Sequence, residues 1–146
     1  MDRDKGTAGR SRGMGRMKVL VVEPLKEPKL VEINHDLIDM RRIVGGAIEC
    51  VFPFGDRIGL VCCDDAIALG YPLNRALEDA DGNVYDIVHG TFFLCGLSVD
   101  NFDSLPDGLA KKYMEHFRYP ELFMKSMDGS IYRFKLGSGK PPKVVA

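Results

Sequence analysis

The chain has 146 residues, a length that allows one domain with a modest hydrophobic core. Its hydrophobic content of 45% and charged content of 28% are ordinary for a globular protein, and no run approaches the ~20 apolar residues that span a bilayer. No apolar leader stands at the N-terminus, so we expect a cytoplasmic protein that does not enter a membrane.

The net charge of −1 conceals three blocks of different sign. Residues 1–16 carry five basic and two acidic side chains, and residues 17–130 carry 11 basic and 19 acidic ones. Residues 131–146 carry four basic side chains and no acidic one. The acidic central block disfavours nucleic acid as a partner, and the basic ends are typical of solvating segments that could also contact polyanions.

The composition divides the chain into three parts. Residues 1–16 are rich in Gly and Arg and lack apolar periodicity, which predicts a disordered extension. Met17 opens an apolar run typical of a protein start, so residues 1–16 are hypothesised to be upstream sequence read from an over-early start. We expect a single globular domain over residues 17–136 and a flexible basic tail over residues 137–146.

The first half of the chain predicts four strands and one helix. Asn34 is a suitable N-cap for a helix that runs through Val44 and ends at Gly45-Gly46. Its predicted buried stripe comprises Leu37, Ile38, Met40, Ile43 and Val44. The predicted strands are residues 18–23, residues 30–33, and a hairpin formed by residues 47–52 and 57–63.

The second half predicts extended chain followed by helix. Residues 84–97 read as extended with a break near Gly90, and residues 131–136 read as a last strand. Ser104 and Asp107 have the spacing of a capping box for a helix with Leu109, Tyr113 and Phe117 facing the core, and Pro120 opens a short further helix. The predicted fold class is α+β: a mixed or antiparallel sheet with one helix after the first strands and a C-terminal helical segment.

The four cysteines are Cys50, Cys62, Cys63 and Cys95. They form no C-x-x-C pair and have no histidine at ligand spacing, so we expect no metal and no cofactor. Free cysteines commonly behave as small buried hydrophobic residues. The alternative is a reactive thiol beside Asp64 and Asp65, two acids that could hold Mg²⁺ or cap a turn.

Residues 69–77 and 86–92 combine Gly, Pro, Asn, Arg, Tyr, His and Thr, a mixture typical of a recognition loop. Arg75, supported by Asn74, could offer a bidentate fork to phosphate or carboxylate. The alternative is a structural arginine paired with Glu78, Asp79 or Asp86.

Five further side chains complete the predicted ligand site. Glu49 could bind a ribose hydroxyl or face solvent, and His89 could act as a general base or be structural. Tyr71 and Phe54 could stack on a base or belong to the core, and Thr91 lies beside Gly90. We identify no catalytic residue.

Four blocks of this sequence are similar to those of a family of short proteins of unknown function coded by bacteriophages and bacterial mobile elements. They are MKVLVVEP at residues 17–24, IVGGxIE at 43–49 with PF at 53–54, GxPxNRAL at 70–77 and DIxxGTF at 86–92. The resemblance covers about residues 17–120 and supplies no catalytic motif. It implies a small accessory protein of a kind that often counters host defence.

We therefore expect a non-enzymatic binding protein that counters host immunity by sequestering a small nucleotide-derived signal. A chain this small forms a deep pocket most easily between subunits, so a homodimer or larger homo-oligomer is expected. The alternatives are a protein-binding inhibitor of a host defence enzyme or nuclease, and a nucleotide-processing enzyme.

Overall fold

The computed structural model describes residues 15–145. Its largest element is an antiparallel sheet whose two faces are both covered by other elements. The elements in chain order are β1 (Arg16–Val22), β2 (Lys29–Asn34), α1 (Leu37–Val44), β3 (Ile48–Val51), β4 (Ile58–Cys63), β5 (Leu73–Glu78), β6 (Val84–His89), β7 (Phe92–Leu97), β8 (Phe102–Asp103), α2 (Asp107–His116), β9 (Glu121–Lys125), β10 (Ile131–Lys135) and β11 (Lys143–Val144).

The main sheet has the strand order β2-β1-β7-β4-β3, and the short β8 adds to β7. Its register places Leu20 of β1 and Leu60 of β4 on either side of Leu94 of β7. The three central strands are long apolar runs because both of their faces are buried. The alternation of apolar and polar residues that marks a half-exposed strand is therefore confined to the start of β1, where Arg16 and Lys18 are exposed and Met17 and Val19 are buried.

Different elements cover the two faces of this sheet. Helix α1 covers one face through Met40 and Val44, which pack with Val19, Val21, Val61, Phe93 and Cys95. Helix α2 and the β5–β6 hairpin cover the other face, where Tyr113, Phe117, Leu77 and Val88 pack with Leu20, Val22, Leu60, Phe92 and Leu94. A separate three-stranded antiparallel sheet, β9-β10-β11, lies beyond α2 in sequence.

The strands predicted in the first half of the chain are confirmed, and so is the hairpin, in which Glu49 of β3 lies opposite Cys62 of β4. The helix prediction is right about the C-cap, where Gly45 adopts a left-handed conformation with φ 82°. It is wrong about the N-cap, because Asp36 rather than Asn34 accepts the backbone N–H of Asp39. Leu37 and Ile38, predicted to be buried, are 46% and 66% exposed.

The second half requires three corrections. The segment after Pro120 is strand β9 rather than a helix, because β10 supplies its hydrogen-bond partners. Ser104 does not cap α2 and instead accepts the backbone N–H of Lys18, while Pro106 occupies the N-cap without a side-chain bond. The predicted tail from residue 137 includes β11, which pairs with β10.

The stretch 69–77, predicted as a recognition loop, forms strand β5 from Leu73 onward, and the remaining fold predictions agree with the structure in outline. The described chain is mostly antiparallel sheet with two helices, a strand-rich form of the α+β class. Neither helix in the described part of the chain is long and apolar enough to cross a membrane. The predictions made for residues 1–14 lie outside the described residues.

Candidate functional site

A cleft of about 520 Å³ opens between the main sheet and the β5–β6 hairpin. Its floor is the β3–β4 hairpin, where Glu49 faces Cys62 and Val51 faces Leu60 across the strand pair. It is lined by Glu49, Val51, Leu60, Cys62, residues 63–68 of the turn after β4, Leu77 of β5 and residues 86–89 of β6. The cleft thus joins the β3–β4 hairpin and the turn that follows it to the β5–β6 hairpin.

The lining of the cleft is acidic. Glu49, Asp64, Asp65 and Asp86 contribute carboxylates, and its lining residues include no lysine or arginine. Between the acids lie apolar side chains such as Leu77. This combination favours a ligand with an apolar body and a cationic or hydrogen-bond-donating group, and it repels phosphate.

The Cys62 thiol lies at the floor of the cleft, with its Sγ 3.9 Å from Glu49 Oε1. Burial raises the pKa of Cys62 to about 12, and the negative charges of Glu49 and Asp86 contribute to the rise. The thiol therefore stays protonated at neutral pH, and it is not activated as a nucleophile.

His89 lines the same cleft at the end of β6. Its Nδ1 lies 3.3 Å from the carbonyl oxygen of Tyr71. Because a carbonyl oxygen only accepts, this contact needs the proton on Nδ1 and leaves Nε2 as the acceptor of the neutral ring. Across the described residues, no group of three or more His, Cys, Asp or Glu side chains is arranged to hold a metal ion.

Arg75 and Asn74, the first candidates for ligand contact, are in the core with 0% exposure. Arg75 donates from Nε and Nη2 to the carbonyl oxygen of Phe117, at 3.2 and 2.9 Å, and from Nη2 to that of Lys26 at 2.7 Å. Its Nη1 donates to Asn74 Oδ1 at 2.9 Å. The carboxylate partners considered from the sequence are thus replaced by carbonyl oxygens, and no surface of either side chain faces solvent.

Arg75 supplies hydrogen-bond donors to the C-terminal end of helix α2. Phe117 is the C-cap residue of α2, and its carbonyl oxygen has no acceptor role within the helix. A cation at this end also interacts favourably with the negative end of the helix dipole. Asn74 extends the connection, because its Nδ2 donates to the carbonyl oxygens of Val22 and Gly90.

Tyr71 connects the end of α1 to the start of β7. Its hydroxyl donates to the carbonyl oxygen of Gly45 at 2.6 Å, and its ring packs on Gly90, where an added Cβ would lie 3.0 Å from the ring. Gly90 has a φ of 76°, so both backbone conformation and space favour glycine there. Thr91 is half-buried beside it and is not among the cleft residues.

Phe54 also lies away from the cleft. Its ring centroid is 4.7 Å from that of Tyr113 and 5.9 Å from that of Phe117, so it packs against α2. Of the seven predicted ligand-binding residues, the cleft therefore gathers Glu49 and His89. Leu77 and Asp86 fall within the two stretches predicted as a recognition loop, whereas Cys62 was considered only as a buried residue or as a thiol beside Asp64 and Asp65. The predicted β3–β4 hairpin was the signal that could have placed Cys62 opposite Glu49.

The family described as Domain of unknown function (DUF3846) matches residues 17–118. The chain belongs to this family. The description assigns no activity, and no curated protein and no solved structure matches the chain.

The DUF3846 domain contains the complete cleft, because every lining residue falls between positions 49 and 89. It runs from β1 to the end of α2 and includes Arg75 and its acceptors at Lys26 and Phe117. Strands β9 to β11 lie outside the matched region. The cleft thus lies within the matched domain, whereas the C-terminal sheet lies outside it.

Proposed function

We propose that this protein is a non-enzymatic binding module whose acidic cleft holds a small ligand with an apolar body and a cationic or hydrogen-bond-donating group. The observation that carries the proposal is the joining of four carboxylates and apolar side chains around one cavity of about 520 Å³. Small-molecule sites commonly have volumes of ~300–1,000 Å³, mostly apolar walls and a few polar groups that orient the ligand.

The electrostatics of the cleft select among ligands. Glu49 on β3 and Asp86 on β6 both line the cleft, and the negative charges of both contribute to the raised pKa of the Cys62 thiol. Carboxylates accept hydrogen bonds from amines, amides and hydroxyls, and two of them close together favour a cation. We therefore place the donor group of the ligand between Glu49 and Asp86.

The nature of the other polar groups supports binding rather than catalysis. The Cys62 thiol remains protonated, and His89 is oriented by the Tyr71 carbonyl oxygen rather than by a carboxylate. A nucleophile with an adjacent base is the usual sign of covalent catalysis, and a protonated Cys62 does not meet that condition.

Sequestration of a nucleotide-derived immune signal, as a phage or mobile-element accessory protein, is the specific form of this proposal. It rests on the resemblance of the four sequence blocks to a family of short proteins coded by bacteriophages and bacterial mobile elements. In this form the base and ribose donate hydrogen bonds to Glu49 and Asp86, and the phosphates project out of the cleft, away from the four carboxylates.

The test is ligand binding measured by calorimetry, with spermidine, adenosine, guanosine, and cyclic and linear nucleotides as probes. The variants are Glu49→Gln and Asp86→Asn, and the control is Glu27→Gln, which removes an exposed carboxylate outside the cleft. Loss of one charged hydrogen bond should weaken binding about tenfold or more in the cleft variants. The control variant should bind as the unmodified protein does.

Three outcomes would contradict the proposal. One is that no probe binds, and a second is that Glu49→Gln and Asp86→Asn bind as tightly as the control. The third comes from denaturing the complex and weighing the released ligand: a chemically altered ligand indicates an enzyme, whereas an unchanged one supports a binding module.

A second candidate function, protein binding, is favoured by the edge of the main sheet. Strand β3 pairs only with β4 in the described part of the chain, and Phe52, directly after it, is 64% exposed. An exposed strand edge can accept a strand from another chain, either a host defence protein or a second copy of this one. Light scattering should then give a mass above one chain, or a stable complex with a purified host enzyme, and Phe52→Asp should abolish either without affecting small-ligand binding.

A further inference from the structure

A second concave surface, here called the basic basin, lies at the turn end of the β5–β6 hairpin. It has a volume of about 450 Å³ and is lined by Glu78, Arg133, Lys135, Lys140, Lys143 and the Pro141-Pro142 pair. It shares no lining residue with the acidic cleft. Its cationic residues belong to β10, β11 and the segment between them, outside the region that matches the DUF3846 family.

The charge of the basic basin is the opposite of that of the cleft, since four cations face one carboxylate. The pKa of the Glu78 carboxyl reflects the positive charges around it. Burial acts to raise the pKa of Glu78, but the hydrogen bond from Arg133 and the charges of Arg133, Lys143 and Lys135 lower it overall. Three of the four cations are thus close enough to act on one group.

Arg133 forms the inner wall of the basic basin and is 7% exposed. Its Nη1 lies 2.5 Å from Glu78 Oε2 and 3.8 Å from Glu121 Oε1. Its Nε is buried and has no hydrogen-bond partner among the described residues. The guanidinium is thus held by Glu78 and Glu121 at the back of the basin, where its positive charge adds to that of the three lysines.

Hydrogen bonds fix the Lys143 side chain and the backbone at Lys140 in the rest of the wall. The Lys143 ammonium group donates to the carbonyl oxygen of Gly82 in the β5–β6 turn. In the backbone, Lys143 of β11 lies opposite Arg133 of β10. Lys140 follows Ser138, whose hydroxyl accepts the Lys140 backbone N–H at 3.1 Å. The two prolines next to it have fixed φ angles, so this wall loses little conformational entropy when a ligand binds.

We infer that the basic basin is an anion-binding site for a small ligand that carries several phosphate groups. Lysine ammonium groups act on phosphate as compact point charges, and several phosphates are needed to use three of them at once. The volume suits a small molecule. This inference does not depend on the function proposed for the acidic cleft, because the two sites share no residue and attract opposite charges.

The test is calorimetry of the full chain with inorganic tripolyphosphate and with a nucleoside triphosphate, at low and at high ionic strength. The variants are Lys140→Gln and the double variant Lys135→Gln/Lys140→Gln. The control, Lys111→Gln, removes an exposed positive charge from α2 outside the basin. We expect binding to weaken about tenfold for each lysine removed from the basin, to be unchanged in the control, and to weaken as salt screens the charges.

The two probes separate the source of the phosphate. Equal affinity for both indicates recognition of the phosphate chain alone, and tighter binding of the nucleotide adds a contact to its nucleoside; either result supports the site. Absence of binding at low ionic strength, or the same loss in Lys111→Gln, overturns it. Nucleotide binding that is sensitive to Glu49→Gln and indifferent to Lys140→Gln assigns the nucleotide to the cleft, and tripolyphosphate binding that is indifferent to Lys140→Gln overturns the basin. Where the double variant fails to fold by circular dichroism, the exposed Lys140→Gln alone decides.

Discussion

Replacing Arg75 with alanine should strongly destabilise the fold. The side chain has 0% exposure, and its guanidinium supplies the carbonyl oxygens of Phe117 and Lys26 and the amide oxygen of Asn74 with hydrogen bonds. These acceptors belong to the end of α2, the β1–β2 turn and β5. Their loss therefore affects three segments that meet only in the folded protein.

The expected magnitude follows from the number of bonds. A buried hydrogen bond to a charged group contributes about 1.5–3 kcal/mol, and the two backbone carbonyl oxygens would lose one or more each. The truncation also leaves a cavity, whereas removal of a desolvated charge offsets part of the loss; burial already lowers the pKa of Arg75. We expect a decrease of about 3–5 kcal/mol in the free energy of unfolding, a large part of the ~5–15 kcal/mol typical of a domain.

The assay is urea unfolding followed by circular dichroism, with Arg57→Ala as the matched control. Arg57 is exposed, so its truncation should change the free energy of unfolding by no more than about 0.5 kcal/mol. Arg75→Lys should also lose stability, because one ammonium group cannot reproduce the fork that reaches three acceptors. If Arg75→Ala unfolds within about 1 kcal/mol of the control, the structural role assigned to this arginine is wrong.

Three further predictions concern the turn at Gly90 and the cleft thiol. Gly90→Ala should lower the free energy of unfolding by about 2 kcal/mol or more, since a φ of 76° and an added Cβ 3.0 Å from Tyr71 both oppose it; an unchanged urea midpoint would contradict this. Tyr71→Phe should cost about 1 kcal/mol in the same assay, because the Gly45 carbonyl oxygen loses its 2.6 Å donor, and a gain in stability would count against that bond. Cys62 has a pKa raised to about 12, so the thiolate forms only as the pH rises toward that value. Its alkylation by iodoacetamide, followed by peptide mass mapping, should remain slow at about pH 9, where an ordinary thiol is largely ionised; a rate equal to that of the unfolded chain would refute the shift.

The amino-acid sequence by itself determines the core strands and the first helix. The apolar runs of β1, β4 and β7 leave little choice but strands buried on both faces, and Gly45 supplies the left-handed residue that ends α1. These signals are local, because periodicity and cap chemistry act over a few residues.

Segments with weaker local signals are decided by their partners. The segment after Pro120 carries scattered apolar residues that fit a helix as well as a strand, and it becomes β9 because β10 offers a complete antiparallel register from Glu121↔Lys135 to Lys125↔Ile131. Backbone hydrogen-bond partners in a sheet are distant in sequence, so a short pattern does not reveal them.

The candidate sites depend most on tertiary structure. Arg75 and Asn74 have the composition of an exposed recognition loop, and only the fold shows their acceptors at Lys26, Phe117, Val22 and Gly90. The acidic cleft likewise exists because β6 closes over the β3–β4 hairpin, and the basic basin because the C-terminal strands reach the β5–β6 turn. A polar residue's own sequence neighbours do not determine whether it is buried. Its burial depends on which distant carbonyl oxygens and charges the packed sheets bring within hydrogen-bonding distance.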